Sequence, residues 1–107
     1  MDEIIEIILE AYNEEIREKE EVLRHELYLI RLKVEDFSIC EIEEDLKDSM
    51  VTITSIKTLY DLKKFVDKKN SIDDIERSYK CVNHKISLED RKKIEEFIKI
   101  QEQLKNF

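Results

Sequence analysis

Glycine and proline are both absent from the 107 residues of this chain. At ordinary usage, about 7% glycine and 5% proline, several of each would be present. Glycine is the residue that lets backbone approach a phosphate or adopt positive φ. The dinucleotide fingerprint and the Walker loop both depend on it, so nucleotide-dependent catalysis by those routes is excluded. Without proline there are no pre-set rigid turns or proline-started helices. Tryptophan is also missing and only two cysteines occur, Cys40 and Cys81. With no run of basic then apolar residues after Met1, the expected state is two reduced thiols in a cytoplasmic protein. Long apolar runs are lacking too: the longest is Leu27-Tyr28-Leu29-Ile30, far short of a membrane span.

What is present is charge. Charged residues make up 43% of the chain and hydrophobic residues 41%, which suits long helices that each bury one stripe. The net charge is −8, unevenly divided. Residues 1–54 hold 17 acids and 6 bases, a balance of −11, and residues 55–107 hold 10 acids and 13 bases, a balance of +3. Such a division opposes wrapping nucleic acid with the whole surface. It suits self-association or an acidic arm that meets a basic partner.

The length specifies one helical domain over residues 1–107. Apolar residues at Ile5, Leu9, Tyr12 and Ile16, then Leu23, Leu27, Ile30, Val34 and Phe37, predict an amphipathic helix over about Asp2 to Glu35. From Leu23 onward the spacing alternates four and three, the heptad pattern. Leu23, Leu27, Ile30 and Val34 are therefore the candidate dimer seam. Two readings compete for residues 37–54. Ser38 with Glu41 forms a capping box that would open a short helix through Leu46. Against it, Phe37-Ser38-Ile39 and Val51-Thr52-Ile53-Thr54 alternate like the strands of a short β-hairpin. The connection at Glu44 to Asp48 has no Gly or Asn to make the hairpin turn, so helix and turn are preferred. Ser55, Ser71 with Asp74, and Ser87 with Asp90 then mark three further helix starts. Asn70 and Asn83 occupy positions where a left-handed residue would end a helix. The fold class is all-α, a small bundle of four to five helices.

Few residue constellations could carry chemistry. Cys81 and His84 share a helix face at i,i+3, with Cys40 and His25 as possible completing zinc ligands. Structural zinc sites come as two tight pairs, and here the second pair is dispersed, so no metal is expected. The same residues lack the electropositive pocket that activates a thiolate. A di-iron carboxylate bundle needs Glu-x-x-His, which does not occur. No catalytic residue, cofactor site or enzyme activity is expected. Lys63, Lys64, Lys68, Lys69, Arg77 and Lys80, with Lys85 and Arg91 to Lys93, make the C-terminal half the alternative site, for DNA. Both possible recognition helices begin with acids, Asp73, Asp74 and Glu76 in one and Glu89 and Asp90 in the other. Phosphates would repel them.

The strongest pattern is acidic. Glu3, Glu6, Glu10, Glu14 and Glu18 run as one line along the first helix, and like charges at i,i+4 cost a few tenths of a kcal/mol per pair. A solvated face would account for them, and so would a docking stripe for a basic protein surface. The expected function is a non-enzymatic protein–protein interaction module, a small acidic adaptor, regulator or inhibitor that is a homodimer.

Overall fold

The computed structural model describes residues 2–36, 38–67 and 71–105. Four α-helices follow in order: α1 (Asp2–Glu35), α2 (Ile39–Asp67), α3 (Ile72–Val82) and α4 (Leu88–Lys105), with a 3₁₀ turn at Asn83–Lys85. The fold is all-α, with the long N-terminal helix as expected. No strand occurs among the described residues, which removes the β-hairpin reading.

The expected break between Leu46 and Ser55 does not exist. Residues 39–67 form one helix, so Ser38 starts α2 and Ser55 starts nothing. The β-branched run costs only a few tenths of a kcal/mol per residue. Threonine hydroxyls also stay satisfied inside the helix: Thr54 and, one turn on, Thr58 each donate to the carbonyl four residues back, both at 2.9 Å, and Thr52 donates to Glu26. Asn83 is right-handed, with φ −58° and ψ −29°, not left-handed. It continues into the 3₁₀ turn, where the Ile86 amide donates to the Asn83 carbonyl at 3.0 Å. Ser71 and Ser87 do begin α3 and α4; Ser87 Oγ accepts from the Asp90 amide at 3.2 Å. Phe37, Lys68, Lys69 and Asn70 lie outside the described residues.

The chain divides into two compact units, to both of which α1 and α2 contribute. The first comprises residues 1–15 and 60–107, and the second residues 16–59. Twelve of the fourteen buried apolar side chains belong to the first: Ile4, Ile5, Ile8, Ala11 and Tyr12 of α1, Val66 of α2, Ile75, Tyr79 and Val82 of α3, Ile86, and Ile94 and Ile98 of α4. The buried stripe of α1 is thus centred on Ile5, Ile8 and Tyr12. Tyr12 is fully buried and its hydroxyl donates to the Ser78 carbonyl at 3.0 Å, tying α1 to α3. Tyr79 donates to Glu95 at 2.9 Å and ties α3 to α4. This unit is a small bundle with a core of its own.

The second unit is an antiparallel helical hairpin with almost no core. Its two buried apolar residues, Ile16 and Leu59, are the first and last residues of the unit.

Candidate interaction surfaces

Two cross-links set the register of the hairpin. Thr52 Oγ1 donates to Glu26 Oε1 at 2.6 Å, and Lys33 Nζ pairs with Asp45 Oδ2 at 2.6 Å. Residue 26 faces 52 and residue 33 faces 45, so one register satisfies both. Lys33 also reaches Glu41 at 3.8 Å, and the hydrogen bond it donates to Asp45 holds its ammonium above the ordinary lysine pKa. The heptad follows. Ile16, Leu23 and Ile30 with Glu26 and Lys33 occupy the a and d positions of α1. On α2 they are taken by Ile42, Ser49 and Ile56 with Asp45, Thr52 and Leu59. These residues are half-buried or buried in the hairpin. The seam is therefore half polar. Polar groups at such positions specify register at a cost in stability.

The apolar residues missing from the seam are on its flanks. Eleven large apolar side chains of residues 16–59 are exposed: Val22, Leu27, Tyr28, Leu29, Leu32, Val34, Ile39, Leu46, Met50, Val51 and Ile53. Their placement is not random. Leu27 and Val34 occupy e positions of α1, while Ile39, Leu46 and Ile53 occupy e positions of α2. Reversing a helix reverses the sense in which its residues turn, so in an antiparallel pair the e positions of both helices share one side. Met50 adjoins that side. The g positions, Val22 and Leu29 on α1 with Glu41 and Asp48 on α2, share the opposite side. There Leu29 and Asp48, with Glu26 and Asp45, line one cavity of about 120 Å³. The e side is thus mostly apolar across both helices, with Glu20 at its α1 end, whereas the g side is apolar on α1 and acidic on α2.

The proposed dimer seam is divided by this geometry. Leu23 and Ile30 are half-buried against α2, whereas Leu27 and Val34 stay exposed on the e side. The stripe Ile39, Leu46, Met50 and Ile53 was not anticipated. Its spacing of seven, four and three is readable in the sequence once residues 39–53 are known to be one uninterrupted helix.

Of the acidic line, Glu3, Glu6, Glu10 and Glu14 fall in the first unit and Glu18 in the second. All five are exposed. Glu3 pairs with Lys93 at 3.8 Å. Glu15, one residue off the line, is mostly buried and takes His84 Nε2 at 3.0 Å and Lys85 at 3.9 Å. His84 therefore faces a carboxylate, and Cys81 is exposed beside it. Cys40 and His25 belong to the other unit. Among the described residues no three His, Cys, Asp or Glu side chains gather as metal ligands would. Lysines of the C-terminal half are drawn into ion pairs: Lys80 with Glu76 at 3.4 Å, Lys93 with Glu3, and Lys105 with Asp73 at 3.4 Å. No described helix is long and apolar enough to cross a membrane.

Comparison with known proteins returns no matching family, no matching curated protein and no matching solved structure.

Proposed function

We propose that this protein is a non-enzymatic protein–protein interaction module, a small acidic adaptor or inhibitor that works through helix faces. The observation that carries the reading is the contrast between the two units. Among the described residues the first unit buries twelve apolar side chains and leaves five large ones exposed, Tyr60, Phe65, Leu88, Ile100 and Leu104; the hairpin buries two and leaves eleven exposed. Contiguous apolar surface of that kind marks association sites. The exposed carboxylates of Glu6, Glu10 and Glu14 supply a second, electrostatic element that complements a lysine- or arginine-rich partner. The lysines that a DNA-binding surface would need are partly neutralised by acids of the same chain.

The test joins both elements. Affinity capture from the native host with the unmodified protein is compared with capture by Glu6→Lys, Glu10→Lys and Glu14→Lys combined. The reversal should abolish capture of a basic partner and leave helicity unchanged, and capture by the unmodified protein should weaken steeply with added salt. Capture that survives the reversal and is insensitive to salt would make the acidic line a solvated face. Retention of the unmodified protein on heparin at moderate salt would favour a nucleic-acid role instead.

A further inference from the structure

We infer that the apolar side of the hairpin is closed by the same side of a second copy, so that two hairpins form one four-helix bundle. This rests on the interaction-module reading and names the occupant of one of its surfaces. A two-helix seam needs apolar residues at a and d only, whereas a helix facing the core of a wider bundle is apolar at a, d and e or g. Here e carries Leu27 and Val34 on α1 and Ile39, Leu46 and Ile53 on α2, with Ile39 73% and Met50 60% exposed. The hairpin thus adds the third apolar row of a bundle helix, at e, to a seam that is itself half polar.

Area and charge both favour a second copy. Each hairpin helix has about twenty residues, so the side is about 30 Å long, and two helix widths make it about 20 Å across. Two such sides bury on the order of 1,200 Å², the lower end of a standard stable interface. A two-fold axis satisfies both copies at once, since an isologous contact needs one self-complementary patch. The opposite side cannot serve this purpose. Beside Val22 and Leu29 it carries Glu41 and Asp48 at its g positions, and a second copy there would set like charges against each other. On the apolar side the nearest charges are mixed: Arg24, Arg31 and Lys57 with Glu20 and Glu43.

Sedimentation of the full chain across micromolar concentrations tests the inference. The unmodified protein should be a dimer. Leu46→Lys with Met50→Lys should raise the dimer dissociation constant about a hundredfold or more, because two charges would enter a desolvated face. Leu29→Lys, on the g side, should leave it unchanged. If the double variant loses helicity, Leu46→Cys in a chain carrying Cys40→Ser and Cys81→Ser takes its place. A short bismaleimide should then join two copies through position 46, and not through Leu29→Cys in the same background. A monomer at high micromolar concentration overturns the inference, as does a dimer broken by Leu29→Lys and spared by the double variant. A monomer that still captures a basic partner overturns the second copy alone and leaves the interaction-module reading standing.

Discussion

Replacing Tyr12 with phenylalanine should destabilise the protein at neutral pH and stabilise it in strong alkali, relative to the unmodified chain. The ring is fully buried, so Tyr12→Phe keeps its apolar packing and removes only the hydroxyl and its bond to the Ser78 carbonyl. At pH 8 that loss is about 1 kcal/mol, the net value of one buried hydrogen bond. Burial, with a further contribution from neighbouring Cys81, pushes the Tyr12 phenol up to about 12 from 10.0. The folded state therefore holds this proton more tightly than the unfolded state does. Its contribution is fully present below pH 10 and is lost as the pH rises toward 12. Two pH units correspond to roughly 2.7 kcal/mol, about half of it gone by pH 11. Phenylalanine has no proton to lose. The two stability curves should cross near pH 11, with the variant ahead above it. Tyr79, also pushed up to about 12 by burial and by its bond to Glu95, titrates in both proteins and cancels in the difference. Urea unfolding followed by circular dichroism at pH 8 and in steps toward pH 11.5 gives the comparison. A second reading comes from ultraviolet titration of phenolate, from which the substitution should delete one late-titrating group. A stability gap that stays constant over this range would refute the argument, because the hydroxyl would then not be desolvated.

Two further predictions concern the hairpin seam. Ser49 is 2% exposed and its hydroxyl has no partner among the described residues, so Ser49→Ala should raise stability by about 1 kcal/mol in urea titration, through helix propensity and relief of an unsatisfied group. Lys33→Leu alone should lower the melting temperature, by leaving Asp45 without its cation. Joined with Asp45→Leu it should restore or exceed the original value, since apolar pairs commonly match the buried ion pairs they replace.

The parts of the fold legible in the sequence are those where one signal acts alone. Residues 2–35 show a helical apolar period with no competing turn residue, and α1 has those limits. Ser71 and Ser87 each precede an acid by three residues and open helices with the expected starts. Failure came where local signals conflicted. Ser38 and Ser55 are both plausible helix caps, and the β-branched residues between them lower helix propensity without abolishing it. Only packing decides such a case, and Thr52 is held in the helix by a bond to Glu26 that no local window contains. The apolar residues of α2 also lie nearly all round it, some serving the seam and others the e side. No single face dominates, so the periodicity that revealed α1 was silent for α2. The acidic line was plain, because five glutamates at helical spacing need no tertiary information.

The division of apolar residues between the units is the basis for the proposal that the hairpin is completed by a second copy. An isolated helix of about twenty residues is marginal in water, and two of them gain independent stability only from a shared apolar seam. In this seam Glu26, Lys33, Asp45, Ser49 and Thr52 occupy positions that apolar residues would otherwise fill. Their cross-links fix the register of α1 on α2, and such pairs contribute specificity more than stability. The stabilising burial has to come from elsewhere. Leu27, Val34, Ile39, Leu46, Met50 and Ile53 are the residues placed to give it, on one side and at heptad spacing. On the two-copy proposal, a hairpin built this way keeps its register through polar contacts within the chain and uses its apolar surface for contacts between chains. With no glycine or proline to break α1 or α2, the ordering of that surface is continuous with helices whose other ends are anchored in the bundle core, at Ile8 and Tyr12 on α1 and at Val66 on α2.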